Sequence, residues 1–184
     1  FAVYETEDSY QFRTKIAGEL TNPWGGNGFS LQTLQVYVRN PGSESGSTVA
    51  RAGVNCEFES PYHRRLVVEG FAAPRVETAG GAEVTRDLGL AAYPTIDTFV
   101  VTVPKSALDL ADAELVPLLM GQDGYSPGGI RPVQAEAGGY VFGGGRDDDA
   151  DPNVIDLVTP EGVENADALA YTADEPAVVP FLSL

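Results

Sequence analysis

The chain has 184 residues, the length of one domain, with an ordinary globular share of hydrophobic (43%) and charged (21%) residues. Acidic residues number 27 against 11 basic ones, a formal net charge of −16, which argues against nucleic acid and against an anionic membrane surface as partners. No apolar run approaches the roughly 18 residues of a spanning helix, so membrane insertion is not expected.

Strand patterns dominate along the chain. Residues 3–5 and 10–16 alternate around a turn at 7–9, with Tyr10, Phe12 and Ile16 on one predicted face. Residues 31–39 repeat the alternation after a glycine-rich turn at 22–28. Further predicted strands are 54–58, 66–71, 75–78, 82–85, 98–103, 115–119 and 140–142, and the apolar tail 177–184 is expected to dock as a last strand. Many short strands at this spacing predict an all-β, antiparallel β-sandwich.

Helix patterns are few. One turn is predicted within 104–110, and Thr159 followed by Pro160 predicts an N-cap leading into a helix over 163–171. The sequence has neither an internal repeat nor a low-complexity linker, so residues 1–184 are expected to form a single domain.

Residues 22–37, which read NPWGGNGFSLQTLQVY, resemble the signature of the C-terminal, DOMON-like domain of glucodextranases. Residues 143–148 and 152–158 are similar to a late motif of that family, and 169–180 fits its end, so the resemblance spans essentially the whole chain. It implies a DOMON-like sandwich with immunoglobulin-like layering, extracellular or held at the cell surface, that binds carbohydrate or attaches to a glycan-coated surface. The resemblance implies no catalytic residues, so no enzyme activity is expected.

One departure concerns the first strand. Members of this family carry a further segment and a strand upstream of the point that matches Phe1, so the domain is expected to lack its N-terminal strand. An open sheet edge would then be closed by other residues or by a strand from another chain. The alternative function that follows is a structural surface protein, a filament or lattice subunit that self-associates through this edge.

The acidic chain is also poor in lysine. Only two of the basic residues are lysines, Lys15 and Lys105. Carboxylates stay hydrated in high salt, where screening removes their mutual repulsion. The composition therefore favours a salt-loving, haloarchaeal source; the alternative is an acidic protein from a GC-rich genome.

An acidic cluster follows three consecutive glycines late in the chain. Calcium takes 6–8 oxygen ligands, which closely spaced carboxylates on a loop can supply. A solvated loop without metal is the alternative. The candidate ligands for Ca²⁺ are Asp147, Asp148, Asp149, Asp151, Asn153 and Asp156.

Aromatic residues in glycine-rich loops are the candidates for sugar contacts. Trp24 is the only tryptophan; its ring suits the apolar face of a pyranose, whereas its glycine-flanked position favours packing at the end of the sandwich. Two loop tyrosines are further candidates for an exposed platform. The predicted binding loops are 22–28 and 121–128, and the candidate ligand-binding residues are Trp24, Asn22, Asn27, Gln32, Tyr62, Tyr125 and Asp123.

Two other chemistries have weaker support. His63 and Met120 are the sole histidine and methionine, and DOMON relatives that bind haem b between such a pair make a haem-carrying electron-transfer domain a third alternative. Cys56 with His63 forms no recognisable nucleophile pattern.

Overall fold

The computed structural model describes residues 1–43, 45–86, 88–146 and 150–184. Within these ranges the chain folds into strands joined by turns, with one four-residue α-helix, α1 (Asn165–Ala168), and two short 3-10 helices, Pro94–Ile96 and Pro127–Gly129. The strands are β1 (Ala2–Glu5), β2 (Ser9–Lys15), β3 (Gln32–Arg39), β4 (Ser47–Val49), β5 (Cys56–Tyr62), β6 (Arg64–Glu69), β7 (Ala72–Thr78), β8 (Glu83–Arg86), β9 (Gly89–Tyr93), β10 (Thr98–Pro104), β11 (Glu114–Gly121), β12 (Asp156–Leu157), β13 (Ala177–Val179) and β14 (Leu182–Ser183).

The front sheet has the strand order β1-β2-β10-β9 and is antiparallel throughout. Its predicted alternation is confirmed, because Phe12 and Thr14 are buried whereas Arg13 and Lys15 on the same strand are exposed. Phe12 lies opposite Val101, so the buried side chains of neighbouring strands form one apolar face. This face packs on the next sheet and forms the first core.

The central sheet has the order β12-β11-β3-β6-β7-β8, and β14 pairs with the first residues of β11. Strand β3 is buried on both faces, because a layer packs on each side of it. Leu34, Val36 and Val38 face the first core, and Tyr37 faces the second. The predicted all-β sandwich is confirmed, and it has three layers.

The back sheet supplies the third layer, with the order β13-β5-β4. The predicted docking of the tail is confirmed: β13 pairs in parallel with β5, and β14 pairs with β11. Phe58 and Val179 from the back sheet meet Val116 and Leu118 from the central sheet in the second core. The last residues of the chain therefore join the back layer to the central one.

A buried charge network lies on strands β6 and β7 of the central sheet. Nε of Arg65 and Nε of Arg75 each donate a hydrogen bond of 2.6 Å to Glu77, and Arg75 also donates to Glu69 at 2.6 Å. Burial raises the pKa of Glu77, but hydrogen bonds from Arg75 and Arg65 outweigh it and hold the pKa below its ordinary value. All four side chains are paired, which is what permits their burial.

A turn follows β10 at 105–107, as predicted, but two other local predictions are wrong. Residues 140–142 form no strand and make only isolated bridges. The predicted helix over 163–171 is confined to α1, and its N-cap is Glu164. The hydroxyl of Thr159 donates instead to the carbonyl of Val163 at 2.6 Å, so it closes the preceding turn.

Candidate functional site

Four exposed aromatic side chains line one cleft of about 400 Å³, which we call the aromatic cleft. They come from four separate loops: Trp24 is 54% exposed, Phe71 52%, Tyr125 97% and Tyr140 69%. Packing of Trp24 at the end of the sandwich, the interpretation that the sequence favours, is therefore wrong. The polar lining consists of Gln122, Asp123 and Arg131, with Gly124.

The loop that carries Trp24 is built by its asparagines. The side-chain amide of Asn22 donates to the carbonyl of Gly26 at 2.9 Å and accepts from its N–H at 2.6 Å. The backbone N–H of Asn27 donates to the carbonyl of Gly70 at 2.6 Å, which ties the loop to the β6–β7 turn that carries Phe71. Neither asparagine lines the aromatic cleft. The amide of Asn22 therefore has a structural role in holding the loop of Trp24, and the contact of Asn22 and Asn27 with sugar hydroxyls stays a prediction.

The same loop needs glycine because backbones approach closely. A Cβ on Gly26 would lie 2.3 Å from the carbonyl oxygen of Phe29 and 2.6 Å from that of Gly70. A Cβ on Gly70 would lie 2.1 Å from the same Phe29 oxygen. The two turns therefore interlock through a pair of glycines, and this contact sets Trp24 beside Phe71.

Asp123 shapes the loop that carries Tyr125. Its Oδ1 accepts the backbone N–H of Tyr125 at 3.0 Å, and its Oδ2 accepts the hydroxyl of Ser126. The Ser126 hydrogen bond is the largest reason why the pKa of Asp123 lies below its ordinary value. Asp123 is only 8% exposed yet lines the aromatic cleft, so it presents an ionised, preoriented acceptor there.

Arg131 forms a wall of the aromatic cleft. Its guanidinium carbon lies 6.0 Å from the ring centroid of Trp24 and 5.4 Å from that of Phe142, within the range of cation–π contacts. Nε of Arg131 is buried without a hydrogen-bond partner among the described residues. A Cβ on Gly121 would lie 2.2 Å from Cε2 of Phe142 and 2.9 Å from Cβ of Arg131, so the end of β11 leaves room for both side chains.

Gln32 lies outside the aromatic cleft, in a neighbouring cleft of about 360 Å³ that we call the polar cleft. Arg131 lines both clefts. Gln32 is 8% exposed; its Nε2 donates to the carbonyl of Glu19 at 3.1 Å, and its Oε1 is buried without a partner in the described part of the chain. Apolar Leu31 and Ile155 also line this cleft.

Tyr62 is not an exposed platform, which corrects the prediction from its polar neighbours. It ends β5, is 1% exposed, and packs edge-on against Tyr37 and Phe58 in the second core. Because residues on a strand alternate between faces, the exposed Pro61 beside it points away from the core that Tyr62 fills.

The predicted calcium loop is described only in part. Asp147, Asp148 and Asp149 lie outside the described residues. Asp151 accepts the N–H of Arg146 at 2.7 Å and the hydroxyl of Tyr171, and Asn153 accepts the N–H of Val133 at 2.7 Å. Asp156, which is exposed, accepts the N–H of Leu157 at 2.9 Å and the side-chain amide of Asn165 at 2.9 Å. Among the described residues, no three acidic, histidine or cysteine side chains are grouped closely enough for a metal.

The haem alternative is wrong, because its two ligands lie far apart. Met120 is opposite Thr33 at the start of β3, and the N–H of His63 bonds to Val38 near its end. Five residues of strand separate these points by about 16 Å, whereas axial ligands must meet at one iron.

Cys56 and His63 also lie apart, and they form no nucleophile pair. They are separated by the length of β5, about 20 Å. Burial raises the pKa of the Cys56 thiol to about 12, so it packs as a small apolar side chain.

A second exposed surface lies on the outer face of the front sheet. Tyr4 on β1 and Tyr93 on β9 border a hollow of about 500 Å³ whose middle contains Gln11, Arg13 and Val100. The two tyrosines lie on opposite edge strands, three strand spacings or about 14 Å apart across the sheet. This surface is shallow and spreads its aromatic rings apart, whereas the aromatic cleft brings four rings together.

Sequence reasoning finds Trp24, Tyr125 and Asp123 but misses other residues of the aromatic cleft. Phe71 and Tyr140 each follow a glycine, but the predicted strands 66–71 and 140–142 include them, so the sequence does not place them in loops. Gln122 lies within the predicted binding loop 121–128 without being singled out, and Arg131 carries no local signal, because it reaches the cleft through the pairing of the loop after β11.

Comparison with known proteins then gives the family. Among curated proteins no match is found. In the part of the chain that the structure describes, no helix is long and apolar enough to cross a bilayer. A family model covers residues 1–181, and its description is "C-terminal binding-module, SLH-like, of glucodextranase". The chain belongs to this family of glucodextranase C-terminal binding modules.

Proposed function

We propose that this chain is a non-catalytic module that binds a glycan or a cell-surface polysaccharide through the aromatic cleft. The observation that carries the proposal is the convergence of Trp24, Phe71, Tyr125 and Tyr140, from four loops, on one cleft. Monomeric proteins seldom expose such a patch without a binding partner. Membership of a binding-module family points in the same direction.

The chemistry of the cleft suits a sugar. A pyranose has an apolar face of C–H bonds, which packs on aromatic rings, and a rim of hydroxyls that need hydrogen-bond partners. Asp123 supplies an acceptor and Arg131 supplies donors at the edge of the rings. The Asp123 carboxylate is held by Tyr125 and Ser126 before any ligand arrives, so little ordering is needed on binding.

The setting of the module is part of the proposal. A module that recognises polysaccharide acts outside the cell or at its surface, and we place this chain there, in a DOMON-like fold and a salt-loving source. The net charge of −16 suits high salt, where screening shortens the range of self-repulsion. A Ca²⁺ ion in the loop 147–156 stays a prediction.

The test is affinity of the purified chain for soluble α-glucan, measured by calorimetry in molar salt for the wild type, Trp24→Ala and Tyr93→Ala. Trp24 and Tyr93 are 54% and 48% exposed, so neither substitution should disturb folding. Burying an aromatic side chain contributes about 1.5–3 kcal/mol, so we expect Trp24→Ala to lose about ten- to hundredfold in affinity.

Tyr93→Ala is the matched control, because it removes an equally exposed ring from the front sheet. Its affinity should equal that of the wild type. A loss with Tyr93→Ala and none with Trp24→Ala would move the site to the front sheet. Absence of binding to α-glucans and to surface polysaccharides would defeat the proposal.

A second candidate is a structural surface protein that assembles through sheet edges. It is favoured by the position of β1 and β9 at the two edges of the front sheet, where the backbone is available for pairing. Elution far above 19.4 kDa, or filaments in the electron microscope, would support assembly.

A further inference from the structure

We infer that the polar cleft is a second subsite for the same glycan chain, so that the module binds an oligosaccharide across two adjoining clefts rather than a single sugar unit. The inference rests on the proposed function. It starts from Arg131, which lines both the aromatic and the polar cleft. A ligand that leaves one cleft past Arg131 therefore enters the other.

Two residues that line the polar cleft, Gln32 and Arg131, each carry a buried polar atom that is unsatisfied, and the two atoms are of opposite kind. Oε1 of Gln32 is an acceptor without a donor, and Nε of Arg131 is a donor without an acceptor, among the described residues. Leaving a buried polar group unpaired costs about 1–3 kcal/mol, so such groups point to a partner that is not protein. Each sugar hydroxyl both donates and accepts, and is therefore complementary to the pair.

The orientation of Gln32 is fixed. Its Nε2 donates to the carbonyl of Glu19 at 3.1 Å, and exchanging the amide oxygen and nitrogen would place two acceptors against each other. Oε1 is therefore the free acceptor. Gln32 begins β3 in the centre of the main sheet, so its backbone cannot move away to find another partner.

Arg131 is the adjustable member. It is only partly buried, and cation–π contacts with Trp24 and Phe142 hold it rather than an ion pair with a described residue. Both unpaired atoms are shielded from solvent in this conformation, so a ligand reaches them only when side chains that line the polar cleft move aside. Leu31 and Ile155 then offer apolar surface to the ring of the sugar.

The inference predicts a dependence on chain length. We would measure by calorimetry the affinity for linear glucose oligosaccharides of one to seven units, using the wild type, Gln32→Leu, Gln11→Leu and Trp24→Ala. For the wild type, affinity should rise with length until both clefts are filled. Gln32→Leu should lose about tenfold for the long ligands and nothing for the shortest that binds.

The controls separate this inference from the proposed function. Gln11→Leu makes the same change in the front sheet and should leave the whole length series unchanged. Trp24→Ala should lower the affinity for every length. Should Gln32→Leu not fold, as judged by its melting curve, Gln32→Met takes its place: it keeps the length of the side chain without a strong acceptor and should bind long ligands more weakly.

Two outcomes overturn the second subsite while leaving the aromatic cleft intact. In one, Gln32→Leu leaves the length series unchanged, which would mean that an internal water serves the two atoms. In the other, it lowers the affinity for all lengths equally, which would mean a general distortion. Failure of the wild type to bind any carbohydrate would instead remove the proposed function, and the subsite with it.

Discussion

At the scale of a single residue, the charge of the Asp123 carboxylate helps to order the loop that carries Tyr125. It accepts hydrogen bonds from Tyr125 and Ser126, and these bonds favour its ionised form. Because its pKa is lower in the folded than in the unfolded chain, the stabilisation is complete above the unfolded value of about 3.9 and is lost as the pH falls through the folded value.

We therefore expect Asp123→Asn to lower the free energy of unfolding by about 1 kcal/mol at pH 7 and to have a smaller effect at pH 2–3. Urea denaturation at both pH values measures the difference. Exposed Asp174→Asn is the control and should leave stability unchanged at either pH. An equal loss at pH 7 and at pH 2–3 would show that the ionisation of Asp123 contributes nothing.

The sequence predicts several residues of the aromatic cleft, but it does not predict which hydrogen-bond partners the polar side chains near the cleft have. Trp24 and Tyr125 stand out because large aromatics seldom occur in glycine-rich loops unless they serve packing or binding. Asn22 and Asn27 are equally suited by residue type to sugar hydroxyls. Their amides are taken up within the loop and by Ala72, which depends on backbone turns that the sequence pattern does not specify.

At the scale of elements, the aromatic cleft depends on two interlocked turns, 22–28 and the β6–β7 turn. Gly26→Ala would place a Cβ 2.3 Å from the Phe29 carbonyl oxygen and 2.6 Å from that of Gly70. Both contacts are with backbone, so the two turns must separate. We expect a loss of about 1–3 kcal/mol in stability.

Gly26→Ala should also weaken glycan binding at temperatures where the protein is folded, because Trp24 and Phe71 move apart. Thermal melting and calorimetry measure the two effects. Gly80→Ala, where the added Cβ meets only the Thr78 side chain at 3.8 Å, is the control and should change neither. Wild-type affinity in a destabilised Gly26→Ala would show that the position of Trp24 does not matter.

Strands were predictable and helices were not, for a physical reason. Alternation along β2 and β10 arises from one buried face, which is a local property of the sequence. The apolar residues of 163–171 pack on the second core through Ala168 and Leu169, without needing more than one helical turn. Packing of this segment, rather than its helix propensity, determines how long the helix is. The sequence pattern therefore predicts a helix that is too long.

At the scale of the whole molecule, three layers share one central sheet. The all-β sandwich follows from strand number and spacing, but the third layer does not, because it depends on the parallel pairing of β13 with β5, far apart in sequence. The sequence shows alternation along β3, with Thr33, Gln35 and Arg39 on the side that the third layer covers, and this pattern is typical of a strand with one exposed face. Long-range pairing of this kind depends on which sheet faces another layer must cover, and a local sequence pattern does not specify that.

The last strands test whether the layers behave as one cooperative domain. Phe181 is 7% exposed, packs on Phe58 with ring centroids 5.7 Å apart, and its N–H donates to Glu59 at 3.1 Å. Phe181→Ala removes this packing and should cost about 3 kcal/mol. Val178→Ala, on the outward side of β13 and 53% exposed, should cost less than about 0.5 kcal/mol.

Because β11 pairs with β14 and contributes to both cores, loss of the back layer should destabilise the front and central sheets as well. We expect Phe181→Ala to unfold in a single transition at lower denaturant, followed equally by Trp24 fluorescence at the aromatic cleft and by circular dichroism of the sheets. If Trp24 fluorescence instead kept its wild-type midpoint while the dichroism changed earlier, the back layer would be a separately folding unit.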